Sequence, residues 1–398
     1  MRRFTVPTKT AIVGVGQTDY RFKRTDVTIQ ELAVEASRKA LEHAGMTLAD
    51  IDAFVIGVAP DALLGINAVD RWIGEALGVA PRPLLRVNTG GTTGAAAAQA
   101  GYAHVASGVA QRVLVVAADK VSESPDAQWV LNTAMDPIYE KSVALNAINM
   151  CSLQAVRQMD QYHVTEKQLA SVAVRSRKNA QINPHAHLRA PISLEDVLAS
   201  RYVCWPLKLL DCCPRSSGAC AVVMASERVV RKEHSRAAWI RGMGATSNTI
   251  YMGDKMGPGR DVDHADWDEL AMAAARAYRQ AGITDPVHEI DVAEIYAPFT
   301  CTEIAAVEAL GFANKGMGGV MSEQGMFEMG GAVPVNPSGG VLNANPISAT
   351  ALVRIAEAAL QVMGDAGDRQ VPGAQRAVAT GIGGTLQFHT CMVLANDA

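Results

Sequence analysis

Residues 86–98, which read RVNTGGTTGAAAA, decide the fold of this chain. A short apolar run is followed by glycines that allow a tight turn, and then by an alanine-rich segment that extends to about position 107. A strand, a glycine turn and a buried helix in this order are how α/β enzymes present a reactive group at a helix N-terminus. The tip of this turn carries no Cys, Ser or His: it is Gly91, flanked by Thr92 and Thr93. The stretch therefore predicts an elbow that lacks its nucleophile.

The size and composition of the chain favour a large α/β enzyme. Its 398 residues are too many for one compact core, so two domains or a duplicated core are expected. A hydrophobic content of 49%, with 19% charged and 5% aromatic residues, is typical of tightly packed α/β proteins. The net charge of -4 and the pI near 6.2 give no basic surface, so we expect no nucleic-acid partner.

Neither a membrane segment nor a metal site is predicted. No stretch approaches the roughly 20 apolar residues of a membrane span, and the first residues lack the apolar run of a secretory signal. We therefore expect a cytoplasmic protein without a membrane partner. The seven cysteines are scattered without the paired CxxC spacing of a zinc site, which favours buried thiols.

One order of elements occurs twice along the chain. The first copy has a strand at 10–16, a helix that Thr28 and Glu31 begin with a capping-box spacing and Gly45 ends, and a strand at 50–57. The second copy has a strand at 239–244, a helix at 267–282 and a strand at 289–296. The third element of each copy opens with Ile-Asp, and a later strand of each copy opens with Gln-Arg. This pattern predicts a duplicated α/β unit, with chance similarity between alanine-rich helices as the alternative.

Residues 121–215 interrupt the alternation of strands and helices. Helices are predicted there at 142–162, 165–182 and 194–201, in the kind of insertion that forms lids and ligand-holding loops in α/β folds. We predict three parts: an N-terminal half (1–120 with 216–236), a helical insertion (121–215) and a C-terminal half (237–398). Doubled units imply stacked sheets that share a helical layer, with the ligand at the carboxyl ends of equivalent strands.

Five passages carry a resemblance to a known family. They are RSRKNAQINP at 175–184, DCCPRSSGA at 211–219, YAPFT at 296–300, NPSGG at 336–340 and GIGG at 381–384. In these passages and in its organisation, the chain resembles the thiolase superfamily, most closely the sterol-carrier-protein-x and lipid-transfer-protein branch. The resemblance implies an α/β fold of the thiolase type, a duplicated αβαβα five-layer arrangement with a helical insertion.

The positions that carry thiolase chemistry all depart from the family pattern. Gly91 takes the place of the nucleophilic cysteine, and Tyr296 that of the histidine or asparagine of the Asn-Glu-Ala-Phe or His-Asp-x-Phe motif. The Gly-His-Pro histidine has no counterpart, since the chain reads Ala-Asn-Pro around Asn345. Gly381 replaces the cysteine of the Cys-x-Gly motif.

Without these cysteines, the chemistry that fits best is a retro-aldol cleavage. An acyl-enzyme needs a thiolate nucleophile, for which Cys301, at the predicted start of a helix, is the remaining candidate. A retro-aldol reaction needs a proton acceptor, a proton donor and hydrogen-bond donors for the enolate, with no covalent intermediate. Cysteine-lacking relatives of the lipid-transfer type are steroid side-chain aldolases with a catalytic tyrosine. The resemblance therefore implies that Tyr296 transfers the proton, as base or as acid, and we expect Asn345 to orient a water or the thioester carbonyl.

The substrate site is expected at the glycine turns and on the insertion helix. Backbone N–H groups at the turns would hold the enolate, and basic side chains would meet the phosphates of CoA. The predicted substrate-binding residues are Gly91, Thr92, Gly383, Gly384, Arg177 and Lys178. The resemblance further implies a CoA thioester as substrate with no cofactor and no metal, a homodimer, and a small partner subunit with an OB fold and a zinc ribbon.

The leading hypothesis is an acyl-CoA retro-aldolase acting on a 3-hydroxyacyl-CoA with a bulky, steroid-like or branched group. Loss of four catalytic positions also fits a non-catalytic subunit that binds acyl-CoA or lipid. A divergent thiolase-like acyltransferase that uses Cys301 is the third alternative.

Overall fold

The computed structural model describes residues 8–140, 142–143, 145–256, 263–384 and 386–397. Its strands are β1 (Thr10–Gln17), β2 (Ala53–Val58), β3 (Leu84–Val87), β4 (Arg112–Lys120), β5 (Tyr202–Cys204), β6 (Leu207–Lys208), β7 (Ser217–Ser226), β8 (Ala238–Ser247), β9 (Val292–Glu294), β10 (Arg376–Gly383) and β11 (Phe388–Ala395). Its α-helices are α1 (Ile29–Ala44), α2 (Val69–Ala76), α3 (Thr93–Ala106), α4 (Ala127–Asn132), α5 (Ala147–Tyr162), α6 (Glu166–Ala180), α7 (Leu194–Ala199), α8 (Glu227–Glu233), α9 (Asp268–Ala281), α10 (Pro286–Glu289), α11 (Thr300–Ala309), α12 (Gly318–Glu323) and α13 (Ile347–Met363).

Two half-sheets are joined at one edge. The N-terminal half contributes β3-β2-β4-β7-β1 and the C-terminal half β8-β11-β10-β9, in one mixed order. The junction is short, because β1 and β8 pair only through Ala11 with Trp239 and Ile12 with Ala238. The stacked sheets predicted from the sequence are therefore connected by hydrogen bonds.

Helices α3 and α13 form the helical layer that the two halves share. The two helices contact each other, and α13 also contacts strands of both halves, including β4, β7, β9 and β10. Residues 348–363 of α13 are all buried, as expected for a helix that is covered on every side. Helix α1 packs on the N-terminal strands and α9 on β8 and β11. The thiolase-like architecture predicted from the sequence is confirmed.

The duplication is visible in matching hydrogen bonds. Oδ2 of Asp52 accepts hydrogen bonds from both backbone amides of the Gln-Arg pair at 111–112, each at 2.8 Å. Oδ2 of Asp291 accepts from both amides of the Gln-Arg pair at 375–376, also at 2.8 Å. The second residue of each Ile-Asp pair thus anchors the same strand opening in both copies.

Some predicted boundaries differ from the structure. The helix predicted from position 142 begins at Ala147, because Oδ1 of Asn146 caps it by accepting hydrogen bonds from two amides. The strand predicted at 289–296 is shorter in the structure, where α10 ends at Glu289 and β9 spans Val292–Glu294. The segment between β4 and β7 holds α4 to α7 and the β5–β6 pair. In the described residues, no helix combines the length and apolar character needed to cross a bilayer.

Candidate active site

The elbow between β3 and α3 is held together by its own threonine side chains. Thr93 Oγ1 accepts a hydrogen bond from Thr89 N at 2.9 Å and donates one to Gly90 O at 2.6 Å. Thr92 Oγ1 donates to Thr89 O at 2.8 Å. These hydroxyl groups form hydrogen bonds within the turn. Backbone N–H groups are therefore the donors with which the elbow would bind a ligand.

Gly91 and Tyr296 occupy adjoining space. A Cβ atom on Gly91 would lie 2.4 Å from Ile382 O and 2.9 Å from Tyr296 Oη. Real Cβ atoms do not approach other atoms this closely, so position 91 accepts a side chain only if its surroundings move. The phenol of Tyr296 therefore lies against the position that the Cβ atom of a nucleophilic side chain at 91 would take.

The glycine turns of the two halves meet backbone to backbone. A Cβ atom on Gly383 would lie 2.6 Å from Thr92 N and 2.8 Å from Gly91 N. A Cβ atom on Gly90 would lie 3.0 Å from Gly384 N. The structure thus brings together the four turn residues that the sequence predicted as substrate-binding, and glycine at 383 is what permits the close approach.

Tyr296 is buried beside this junction, with 4% of its surface exposed. Its backbone amide donates to Thr380 Oγ1 at 3.0 Å, while Oη lies 3.4 Å from Asn345 Oδ1 and 3.5 Å from Ile347 O. Burial, followed by the proximity of Cys213, raises the pKa of the phenol above its ordinary value of about 10. Tyr296 is therefore protonated at neutral pH, which favours proton donation over a role as a resting phenolate base.

Asn345 connects Tyr296 to the rest of the site. Its Oδ1 accepts a hydrogen bond from Thr350 Oγ1 at 2.8 Å, and its Nδ2 donates to Cys213 Sγ at 3.1 Å. These contacts fix the side chain against the phenol. One N–H of the amide group remains for a substrate or water.

Three residues that sequence reasoning missed surround Asn345: Cys213, Ser216 and His187. Asn345 N donates to Ser216 Oγ at 3.1 Å, and His187 Nδ1 lies 3.0 Å from the same oxygen. Burial, and then the charge of Arg177, lowers the pKa of His187. The DCCPRSSGA passage had carried the family resemblance, but no spacing in the sequence connects it to His187.

The placement of Arg177 does not fit the predicted contact with CoA phosphates. Its side chain is turned inward, and the guanidinium donates to Asn343 Oδ1 and, at 3.1 Å, to Ala190 O. These donors are used inside the protein, so Arg177 supports the loop before Asn345. Lys178 is exposed and forms an ion pair with Glu328, with Nζ 2.9 Å from Oε2.

Cys301 lies at the start of α11 as predicted, but its surroundings do not suit a nucleophile. The thiol is fully buried and donates to Cys151 O at 3.4 Å. Burial raises its pKa well above that of an ordinary thiol, which opposes thiolate formation.

Over the described ranges, no group of three or more His, Cys, Asp and Glu side chains is arranged to hold a metal ion.

Comparison with known families assigns the chain. The thiolase N-terminal domain matches residues 10–197, and the thiolase C-terminal domain-like family matches residues 260–396. The chain belongs to the thiolase family. This thiolase-family protein is 33% identical to the acetyl-CoA acetyltransferase of Methanothermobacter thermautotrophicus over 94% of its own length and 96% of the relative. It is 30% identical to sterol carrier protein 2 of Bos taurus, over 94% of this chain and 69% of that protein.

Relatives with lyase or aldolase names are also similar to this thiolase-family chain. The 17-hydroxy-3-oxo-4-pregnene-20-carboxyl-CoA lyase of Mycobacterium tuberculosis is 28% identical over 83% of this chain and 86% of its own length. The solved Ltp2-ChsH2(DUF35) aldolase superposes with a TM-score of 0.83 at 26% identity, over 99% of both chains. Human mitochondrial 3-ketoacyl-CoA thiolase, at 15% identity over 99% of this chain and 100% of its own, with a TM-score of 0.75, shares the fold. The predicted sterol-carrier and lipid-transfer branch of the superfamily is thus confirmed.

Proposed function

We propose that this protein is an acyl-CoA retro-aldolase, a carbon–carbon lyase that cleaves a 3-hydroxyacyl-CoA without a covalent acyl-enzyme. The observation that carries the proposal is the buried phenol of Tyr296 in the space beside Gly91 where a nucleophile would begin. Similarity to a CoA-thioester lyase and to a solved aldolase supports the same reaction class.

In this mechanism, the main-chain N–H groups of Gly91 and Gly383 hold the thioester oxygen. The bond between Cα and Cβ breaks, its electron pair forms the enolate, and the β-carbon becomes the carbonyl carbon of the released ketone or aldehyde. A water molecule takes the proton of the β-hydroxyl as this bond breaks, Tyr296 then gives its proton to Cα, and the phenolate recovers a proton from solvent. No net proton is consumed, and donors aimed at the enolate oxygen stabilise the charge as it develops.

The cysteines of the site argue against the acyl-transfer alternative. Burial raises the pKa of Cys213 to about 11, although the hydrogen bond from Asn345 opposes the rise. Cys301 is fully buried, and burial raises its pKa as well. Because the thiolate is the nucleophilic form, neither thiol is prepared for acylation at neutral pH.

We further propose that the acyl group is bulky, steroid-like or branched, and that the reaction uses no cofactor beyond the CoA of the substrate. The proposed assembly is a cytoplasmic homodimer that works with a small OB-fold and zinc-ribbon subunit. Similarity to the solved Ltp2-ChsH2(DUF35) aldolase, whose name gives two components, supports the second subunit. The sedimentation mass of the chain alone, and after mixing with a candidate subunit, tests both expectations, and a monomer in each sample contradicts them.

The decisive experiment compares the wild type with Tyr296→Phe on a tertiary or secondary 3-hydroxyacyl-CoA. Removing a group that transfers a proton in the transition state lowers rates by about 100-fold to 10,000-fold, so we expect kcat to fall by at least 100-fold. The melting temperature and the Kd for the ester should be unchanged. Near wild-type turnover in the variant contradicts the role of Tyr296. Tight binding by the wild type without release of a ketone or aldehyde instead favours the acyl-CoA-binding subunit.

A further inference from the structure

His187 is fixed to the loop that carries Asn345. The backbone amides of His187 and Leu188 both donate to Asn343 O at 3.0 Å. Ser216 N donates to Asn345 O at 3.1 Å, and Asn345 N donates to Ser216 Oγ at 3.1 Å. The imidazole is therefore connected to Asn345 by Ser216, which forms hydrogen bonds with both the backbone N–H and the backbone C=O of Asn345.

Ser216 determines which ring nitrogen of His187 carries the hydrogen. The serine is fully buried, and its oxygen already accepts a hydrogen bond from Asn345 N–H. A buried hydroxyl hydrogen needs an acceptor. Among the described residues, the other polar atom paired with this hydroxyl is His187 Nδ1, at 3.0 Å. Ser216 therefore donates to Nδ1, which places the imidazole hydrogen on Nε2.

The imidazole of His187 is neutral under physiological conditions. Burial is the main cause of its lowered pKa, and the charge of Arg177 is the second. Arg177 is itself held in place by Asn343 and Ala190, so this positive charge stays close to the ring. A neutral imidazole with a fixed tautomer is a directed N–H donor that keeps its proton.

The Nε2–H group is available to a ligand. His187 is partly exposed, and across the residues that the structure describes no protein group pairs with Nε2. The histidine is two hydrogen bonds from Asn345, whose side chain contacts the phenol of Tyr296. This is the region in which the thioester has to lie if Tyr296 protonates its enolate.

We propose that His187 is a catalytic residue whose neutral Nε2–H donates a hydrogen bond to the thioester oxygen as the enolate forms. It adds a side-chain donor to the backbone donors of Gly91 and Gly383, and Ser216 positions it. This inference rests on the proposed retro-aldol function. It assigns a role to a residue from the helical insertion, whereas Tyr296, Asn345 and the glycine turns come from the two thiolase-like halves.

Two substitutions separate the two ring nitrogens. The amide of asparagine reaches the position of Nδ1, so His187→Asn keeps a partner for Ser216 and loses the distal donor. The amide of glutamine reaches the position of Nε2, so His187→Gln keeps that donor. Loss of one enolate-binding donor costs about 100-fold to 1,000-fold in kcat. We expect such a loss, with unchanged KM, in His187→Asn, and kcat within about tenfold of the wild type in His187→Gln.

The control is His163→Asn, at the end of α5, where φ is 58° and asparagine is tolerated. This variant should keep wild-type kcat. Equal activity of His187→Asn and the wild type overturns the inference while leaving the proposed function intact. Equal losses in His187→Asn and His187→Gln also overturn it, because only the distal donor is claimed to matter.

A nitrogen-15 NMR measurement on the wild type needs no variant and no turnover. We expect His187 to show the Nε2–H tautomer in the free protein and a perturbed Nε2 resonance when a saturated acyl-CoA binds. The Nδ1–H tautomer, or an unperturbed resonance at saturating ester, overturns the inference. If the wild type cleaves no 3-hydroxyacyl-CoA, the proposed function fails, and the resonance still shows whether His187 contacts the bound ester.

Discussion

Tyr296 Oη lies 2.9 Å from the point at which Gly91 would carry a Cβ atom. A side chain at 91 and the phenol would therefore compete for the same space. A tyrosine at 296 with a cysteine at 91 would overlap, and so would a cysteine at 91 with Ile382 O, 2.4 Å from the same point. A cysteine at 91 would therefore require both Tyr296 and Ile382 to move.

The first prediction concerns Gly91→Ala. The added methyl group overlaps Ile382 O and Tyr296 Oη, so we expect a loss of about 1–3 kcal/mol in the free energy of unfolding and a lower kcat from the displaced phenol. Urea denaturation and steady-state kinetics measure the two effects. Gly330→Ala is the matched control, because a Cβ atom there meets no atom within 4 Å. Wild-type stability and turnover in Gly91→Ala would show that the phenol does not occupy this space.

The second prediction concerns the reactivity of Cys301. Its thiol is buried and its pKa is raised, so native protein treated with iodoacetamide should carry no label at this position. The same treatment in denaturant should label it, which controls for detection by mass spectrometry. Cys301→Ala should keep the cleavage activity. A thioester adduct trapped on Cys301 with substrate would instead establish the acyl-transfer alternative.

The third prediction uses the buried carboxyl of Asp119. Its Oδ2 accepts hydrogen bonds from Ser348 N at 3.1 Å and Ser348 Oγ at 2.9 Å, yet burial raises its pKa from 3.8 to about 7. The folded protein thus binds this proton more tightly than the unfolded chain. The carboxyl imposes no penalty below pH 4, and its ionisation lowers the free energy of unfolding progressively as the pH rises to about 7.

Asp119→Asn should remove this penalty. We expect the variant and the wild type to be similarly stable at pH 4, and the variant to be more stable at pH 8, by at most about 4 kcal/mol. Urea denaturation at several pH values measures the difference, with the exposed Asp160→Asn as control. A difference that does not grow with pH would mean that Asp119 titrates normally in the folded protein.

The fourth prediction concerns Asn345 and Thr350. Asn345→Ala leaves the buried Thr350 hydroxyl without its acceptor at 2.8 Å, which costs about 1–3 kcal/mol of stability. It also removes a contact of Tyr296, so kcat should fall. Adding Thr350→Val removes the orphaned hydroxyl, and a double-mutant cycle should show a loss smaller than the sum of the two single losses. Additive losses would mean that the two side chains do not interact.

Much of the frame was predictable because it depends on local patterns. The capping box of Thr28 with Glu31 and the Ile-Asp pairs at 51–52 and 290–291 are short-range signals, and the structure contains each of them. The resemblance assigned Gly91 and Tyr296 to two catalytic positions of the family, and the structure adds that they adjoin. Neither residue type by itself indicates that the two are in contact.

The remainder depends on packing between distant segments. Arg177 was expected to face a ligand. Its side chain instead bonds to the loop residues Asn343 and Ala190, and helical periodicity does not reveal that these lie beside it. His187 and Ser216 are joined by one hydrogen bond between the insertion and the segment before β7, and no spacing in the sequence encodes it. Such contacts are decided by the relative placement of the insertion and the core.

The matching anchors Asp52 and Asp291 have a consequence for how this architecture changes its chemistry. Each copy secures its strand openings with its own carboxylate, at the edge where those strands begin. The proposed site lies at the opposite ends, where both copies bring a glycine turn and the second copy also brings the phenol of Tyr296. Substitutions at those ends can change the reaction while the hydrogen bonds of Asp52 and Asp291 keep both strand openings in place.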